Sequence, residues 1–155
     1  WDCLSLSGAT RRAWLARFER DEGIIAGADQ LLARFAGSST YQAIARAPVR
    51  YSELPFHLTT VSGPIDGIID LLYQDERGQW QLLDWKSDQL RGDDLAKAAR
   101  PYLGQLALYR WAATQLLGQT VSAGICFLQR PETVYQPPDD LLQLPAGIRV
   151  TDAGA

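Results

Sequence analysis

The 155-residue sequence contains no methionine, one histidine (His57) and two cysteines (Cys3 and Cys126). Two thiols cannot supply the four thiolates of a structural zinc site or of an iron–sulfur cluster, and they build no disulfide framework. The expected setting is therefore a reducing cytoplasm, without an iron–sulfur cluster, and with Cys126 as core filler inside "AGICFL". No apolar run approaches the roughly 20 residues that cross a bilayer, so no membrane partner is expected. The N-terminus lacks the basic-then-apolar pattern of a signal peptide. A chain that begins at Trp1 and holds no methionine is not a translation product that kept its initiator. The expectation is a domain excised from a larger polypeptide. A net charge of −3 weakens tight nucleic-acid binding by bulk electrostatics. It leaves room for a small cleft that bound cations make positive.

What is present reads as one soluble globular domain, 46% hydrophobic and 10% aromatic. "GATRRAWLARFERDEG" spaces Trp14, Leu15 and Phe18 as a helix, with Thr10 as N-cap and Gly23 as stop. "GADQLLARFAGSS" repeats the pattern to Gly37, and "TYQAIARA" predicts a short third helix before Pro48. From Val49 the chain turns to strands. "VRYSELPF" and "HLTTVSG" read as two strands separated around Pro55. "PIDGIIDLLYQ" and "QWQLLDWKSD" read as a hairpin about the "DERG" turn. "RGDDLAKAARPYLGQLALYRWAATQLLGQ" is helical, with Pro101 dividing or opening it and Gly118 ending it. "VSAGICFL" suits a buried strand, and a Pro-rich polar tail follows. The divisions are a helical segment over 1–48, a core over 49–136 and a tail over 137–155. The order is helices, a meander of three or four strands, a helix and a returning strand, an α/β fold with a mixed sheet.

Within that frame "LLDWKSD" stands out. Residues two apart on a strand share a face, so Asp84 and Lys86 project together while Leu83 and Trp85 point the other way. The turn at Asp75–Gly78 places Asp70 opposite, or nearly opposite, Asp84. Facing like charges destabilise a strand pair. One reading is a structural Asp84–Lys86 ion pair with Asp70 capping a bulge. The other is a divalent cation between the carboxylates, for which hard oxygen ligands suit Mg²⁺, with Lys86 beside the metal-bound water.

"GIIDLLYQDERGQWQLLDWKSD", "PYLGQLALYRWAATQLLG", "VSAGICFL" and "YSELPFHL" together resemble the nuclease domain of RecB/AddA-type helicase–nucleases, members of the PD-(D/E)XK superfamily. The resemblance covers Tyr51 to Leu128. It implies a restriction-endonuclease-like α/β core, a mixed sheet flanked by helices. By position, Asp70 and Asp84 would bind Mg²⁺ or Mn²⁺ with the main-chain carbonyl of Trp85, and Lys86 would be the catalytic lysine. Gln105 and Tyr109, four apart on one helical face, would contact DNA, with Tyr102 less closely placed. The implied function is divalent-metal-dependent DNA cleavage, as an exonuclease, in double-strand-break repair and recombination. No G-x-x-x-x-G-K-[ST] loop occurs, so the helicase motor would lie elsewhere in the same parent polypeptide, and a second nuclease or helicase subunit would be a further partner. The alternative is an inactive nuclease-like module that holds DNA or a partner. A third reading is a phage or CRISPR-associated relative. One departure stands against the pattern. Family members carry a metal-binding His on an early helix, and His57 does not match that position. The missing ligand would lie upstream of Trp1, or Glu53 would substitute, although its "ELPF" setting suits a structural role equally.

Overall fold

The computed structural model describes residues 7–144 and Ile148. Cys3 and the terminal "TDAGA" lie outside the described residues. Helix α1 spans Gly8–Leu15, and its cap is Ser7, whose Oγ accepts the Thr10 N–H. The cap expected at Thr10 thus moves three residues earlier. Nor does the helix continue to Gly23. Asp21 accepts the N–H groups of Gly23 and Ile24 and so starts a new helix, α2, over Glu22–Ala36. A carboxylate bonded to two free helical N–H groups is a stronger signal than a glycine, which the first turn of α2 accommodates. Helix α3 spans Ser39–Ala45. The Ser38 hydroxyl accepts the Tyr41 N–H and donates to the Phe35 carbonyl, which ties α3 to the end of α2.

The sheet has five strands in the order β1-β2-β3-β4-β5: Arg50–Thr60, Gly63–Gln74, Trp80–Lys86, Val121–Phe127 and Val134–Tyr135. The two strands expected on either side of Pro55 are one continuous strand, β1. It lies at the sheet edge, where proline's missing N–H breaks no ladder bond, and Pro55 pairs opposite Ile68. The β1–β2 and β2–β3 pairs are antiparallel, and the β2–β3 turn falls at Asp75–Gly78 as expected. β3 and β4 run parallel, with Asp84 opposite Ile125. The connection between them is helix α4 (Leu95–Ala99), a 3₁₀ turn (Arg100–Tyr102) holding Pro101, and helix α5 (Leu103–Leu117). Gly118 closes α5 at φ +62°, a left-handed cap that favours glycine.

Alternation along the strands divides the apolar side chains between two faces. Leu72, Leu82, Ile125 and Phe127 pack with Leu106 and Ala107 of α5. Leu71, Leu83 and Trp85 pack with Phe35 and Ile44 of α2 and α3. Cys126 is fully buried, and burial pushes its thiol up to about 12. The α5 face carries the site, because Asp84 and Lys86 follow Leu82 on that side. Leu106, wholly buried there, anchors α5 to the sheet. Leu106→Ala is expected to lower unfolding free energy by about 2–5 kcal/mol, read from a urea melt against the unmutated chain.

Candidate active site

Two adjacent strands, β2 and β3, supply the acidic groups where their ladder ends. The β2–β3 ladder reaches Leu71 opposite Leu83, and the next residues outward are Asp70 and Asp84. The expected juxtaposition of these carboxylates is what the register delivers. Asp70 Oδ2 accepts the Trp85 N–H at 2.8 Å, which fixes it against β3 beyond the last ladder pair. Asp84 is 2% exposed. Lys86 Nζ lies 2.7 Å from its Oδ2, but off the direction of a hydrogen bond. Among the described residues that buried oxygen therefore has no aligned donor. Burial raises the Asp84 carboxyl above its ordinary range; Lys86 opposes the shift, and the Asp70 carboxyl, within hydrogen-bond reach, adds to it.

Helix α5 and the turn before it surround the lysine. Lys86 Nζ donates to Gln105 Oε1 at 3.1 Å and sits 4.5 Å above the centre of the Tyr102 ring. Gln105 Nε2 donates to the Tyr109 hydroxyl at 2.8 Å. The Lys86 carbonyl accepts the Leu128 N–H, which holds the end of β3 against the chain leaving β4. All six side chains singled out for chemistry or DNA contact thus gather at the β3 end of the α5 face: Asp70, Asp84, Lys86, Tyr102, Gln105 and Tyr109. Tyr102, expected to share the Gln105–Tyr109 face less closely, lies in the 3₁₀ turn before α5 and is in direct contact with the lysine. Its hydroxyl is raised by a hydrogen bond with Asp88.

Two residues behave otherwise. His57 pairs across the strands with Asp66, Nδ1 to Oδ1 at 2.7 Å, and both side chains are exposed. Glu53 has φ +52°, in the left-handed region that non-glycine residues rarely enter. It lies where the β1–β2 ladder passes from Ser52↔Leu71 to Leu54↔Ile69, level with Asp70. That puts a residue with left-handed backbone on the same row as the two aspartates. Nothing in "SELPF" signals that conformation.

A buried oxygen without an aligned donor, next to a second carboxylate, is a donor set that fits a hard divalent cation. Among the described residues no three His, Cys, Asp or Glu side chains form a ready cation cage. A cation held by Asp70 and Asp84 would complete its shell largely with water and substrate oxygens, as Mg²⁺ does. A separate cavity of about 1030 Å³, between Trp111, Val121, Pro137 and Leu142, is lined by none of these six residues.

The profile of the PD-(D/E)XK nuclease superfamily matches residues 2–149. The chain belongs to that superfamily. It is 35% identical over 103 residues to an ATP-dependent helicase/nuclease subunit of Carboxydothermus hydrogenoformans, covering 58% of this chain and 9% of that protein. The ATP-dependent helicase/nuclease subunit of the same name in Lysinibacillus sphaericus is 32% identical over 95 residues, 54% of this chain and 8% of that protein. The chain therefore spans less than a tenth of these relatives. A solved structure of protein VC1899 from Vibrio cholerae aligns at TM-score 0.31 and 11% identity over 79% of this chain and 34% of that one, too weak a likeness to carry an argument. The α/β architecture with a five-stranded mixed sheet flanked by helices accords with the PD-(D/E)XK fold. Among the described residues no helix is long and apolar enough to cross a membrane.

The raised Asp84 carboxyl gives a pH dependence. A carboxyl whose folded value lies above its unfolded value favours the fold at low pH. That contribution is lost as the pH rises from the ordinary carboxylate range, near 4, through the raised folded value. In metal-free buffer, Asp84→Asn is expected to be more stable than the unmutated chain at pH 8. The difference should shrink as the pH falls towards 4, in paired thermal melts.

Proposed function

We propose that this domain hydrolyses phosphodiester bonds in DNA, using a divalent cation held by Asp70, Asp84 and the main-chain carbonyl of Trp85. The observation that carries this reading is the buried Asp84 carboxylate, set between a second carboxylate and a lysine. Mg²⁺ or Mn²⁺ bound there would lower the pKa of a coordinated water and neutralise charge on the phosphate. The chain's own groups do the rest. Lys86, held between Asp84, Gln105 and the Tyr102 ring, offers its ammonium to the attacking water or to a phosphate oxygen. Gln105 is exposed on α5, and with Tyr109 it can meet the DNA strand that enters over Lys86. Likeness to the two helicase/nuclease proteins supports a place beside a helicase motor in one polypeptide; the setting we propose is the cytoplasm. There the domain would trim unwound ends as an exonuclease in double-strand-break repair and recombination, next to a second nuclease or helicase subunit.

An inactive module that only holds DNA or a partner is the competing reading. It is favoured by the position of His57, which pairs with Asp66 rather than with the carboxylates at the site. Cleavage of linear DNA in Mg²⁺ or Mn²⁺ against EDTA separates the two. Asp84→Ala is expected to abolish divalent-dependent cleavage. Lys86→Ala is expected to lose about 10²-fold or more, the scale of one positioned proton-transfer or charge-stabilising group, while keeping its metal affinity. Cleavage by Asp84→Ala at the unmutated rate would refute the nuclease reading, and EDTA-insensitive cleavage would refute its metal.

A further inference from the structure

Gly67 and Phe56 stand opposite each other in the β1–β2 pair. A Cβ added at Gly67 would lie 2.4 Å from Phe56 Cζ and 2.5 Å from Cε1. The phenyl ring therefore lies on the bare backbone of Gly67, closer than any side chain there would permit. An aromatic ring covering a strand glycine is a common packing device, and burial alone would account for it. The other side of this ring makes the difference. It meets the Tyr109 ring edge to face, with centroids 5.5 Å apart and planes at 77°. From Tyr109 the contacts continue without a gap: its hydroxyl accepts from Gln105 Nε2, and Gln105 Oε1 accepts from Lys86 Nζ.

We infer that Phe56, seated on Gly67, is a positioning residue for Lys86, acting through Tyr109 and Gln105. The amide of Gln105 is the element with two orientations. With its Nε2 bound to Tyr109, its Oε1 is left to face the ammonium; the flipped amide would turn a donor towards a cation. The ammonium, which only donates, selects that orientation. The Tyr109 hydroxyl, which can accept or donate, holds the amide in place only while it stays within reach, and the Phe56 ring, in edge-to-face contact, limits the movement of the Tyr109 ring. This also gives a reason for the glycine three residues before Asp70. The space above Gly67 is occupied by the ring that meets Tyr109 of α5. The inference rests on the proposed role of Lys86 for its catalytic meaning, but the positioning itself is a property of the metal-free chain.

The chain has only two lysines, Lys86 and Lys97, and Lys97 is exposed on α4. Competitive acetylation of the metal-free chain, read by mass spectrometry as the Lys86:Lys97 ratio, therefore reports on the Lys86 bracket with an internal reference. Gln105→Ala and Phe56→Leu are each expected to raise this ratio by roughly three- to tenfold, the weight of one lost hydrogen bond. In the double variant the ratio should rise no further than in the stronger single variant, because both act on one chain of contacts. Gly67→Ala, which pushes the ring from beneath, should raise it as well, and circular dichroism checks that each variant folds. An unchanged ratio in folded Phe56→Leu and Gly67→Ala would overturn the inference, as would multiplied effects in the double variant or no response to Gln105→Ala. Under the nuclease reading, Phe56→Leu should also lower kcat with KM retained. Absence of cleavage by every chain would count against that reading alone and leave the acetylation result standing.

Discussion

A carboxylate removed from water is the constraint around which this domain is organised. Asp84 sits in β3 beside the core residues Leu82 and Leu83, with a second carboxylate next to it and a buried oxygen that no donor among the described residues addresses squarely. Desolvation and like-charge repulsion both act against its ionisation. Lys86, on the same face, offsets part of that penalty in the metal-free state. An arrangement that destabilises the metal-free protein would become favourable on binding the proposed cation, because the repulsion between Asp70 and Asp84 would turn into shared coordination. Stability is spent at the place where charge must be gathered.

The rest of the fold holds that arrangement rigid. Asp70 and Asp84 come from adjacent antiparallel strands, so their separation is set by the ladder that ends at Leu71 and Leu83. The Trp85 N–H, bound by Asp70, ties β2 to β3 where their ladder ends. The parallel β3–β4 pair requires a crossover, and that crossover is what brings Tyr102, Gln105 and Tyr109 over Lys86. The hydrophobic layer beneath, from Leu82 to Leu106, determines the height of α5 above the lysine. Packing, register and chemistry are therefore one problem here.

Much of this is legible in the residues. The Asp75–Gly78 turn fixes the β2–β3 register, and register alone places Asp70 beside Asp84. The four-residue spacing of Gln105 and Tyr109 puts both on one face of α5. Other features depend on tertiary contact and leave little trace. Pro55 reads as a strand breaker, yet at a sheet edge its lost N–H costs no ladder bond. Gly23 reads as a helix stop, but the Asp21 cap overrides it. Tyr102 follows Pro101 in a 3₁₀ turn, and only that turn aims its ring at the ammonium. The left-handed Glu53 and the ring of Phe56 over Gly67 depend on cross-strand pairing in the β1–β2 hairpin, so no local pattern announces them.

The central claim is that Asp70 and Asp84 together form a divalent-cation site. Mn²⁺ binding followed by electron paramagnetic resonance tests it without any assumption about substrate. The unmutated chain is predicted to bind Mn²⁺, and Asp70→Asn and Asp84→Asn are each predicted to lose that binding while remaining folded. Equal Mn²⁺ affinity in all three chains would contradict the claim, and would leave Asp84 and Lys86 as a buried ion pair with a structural role.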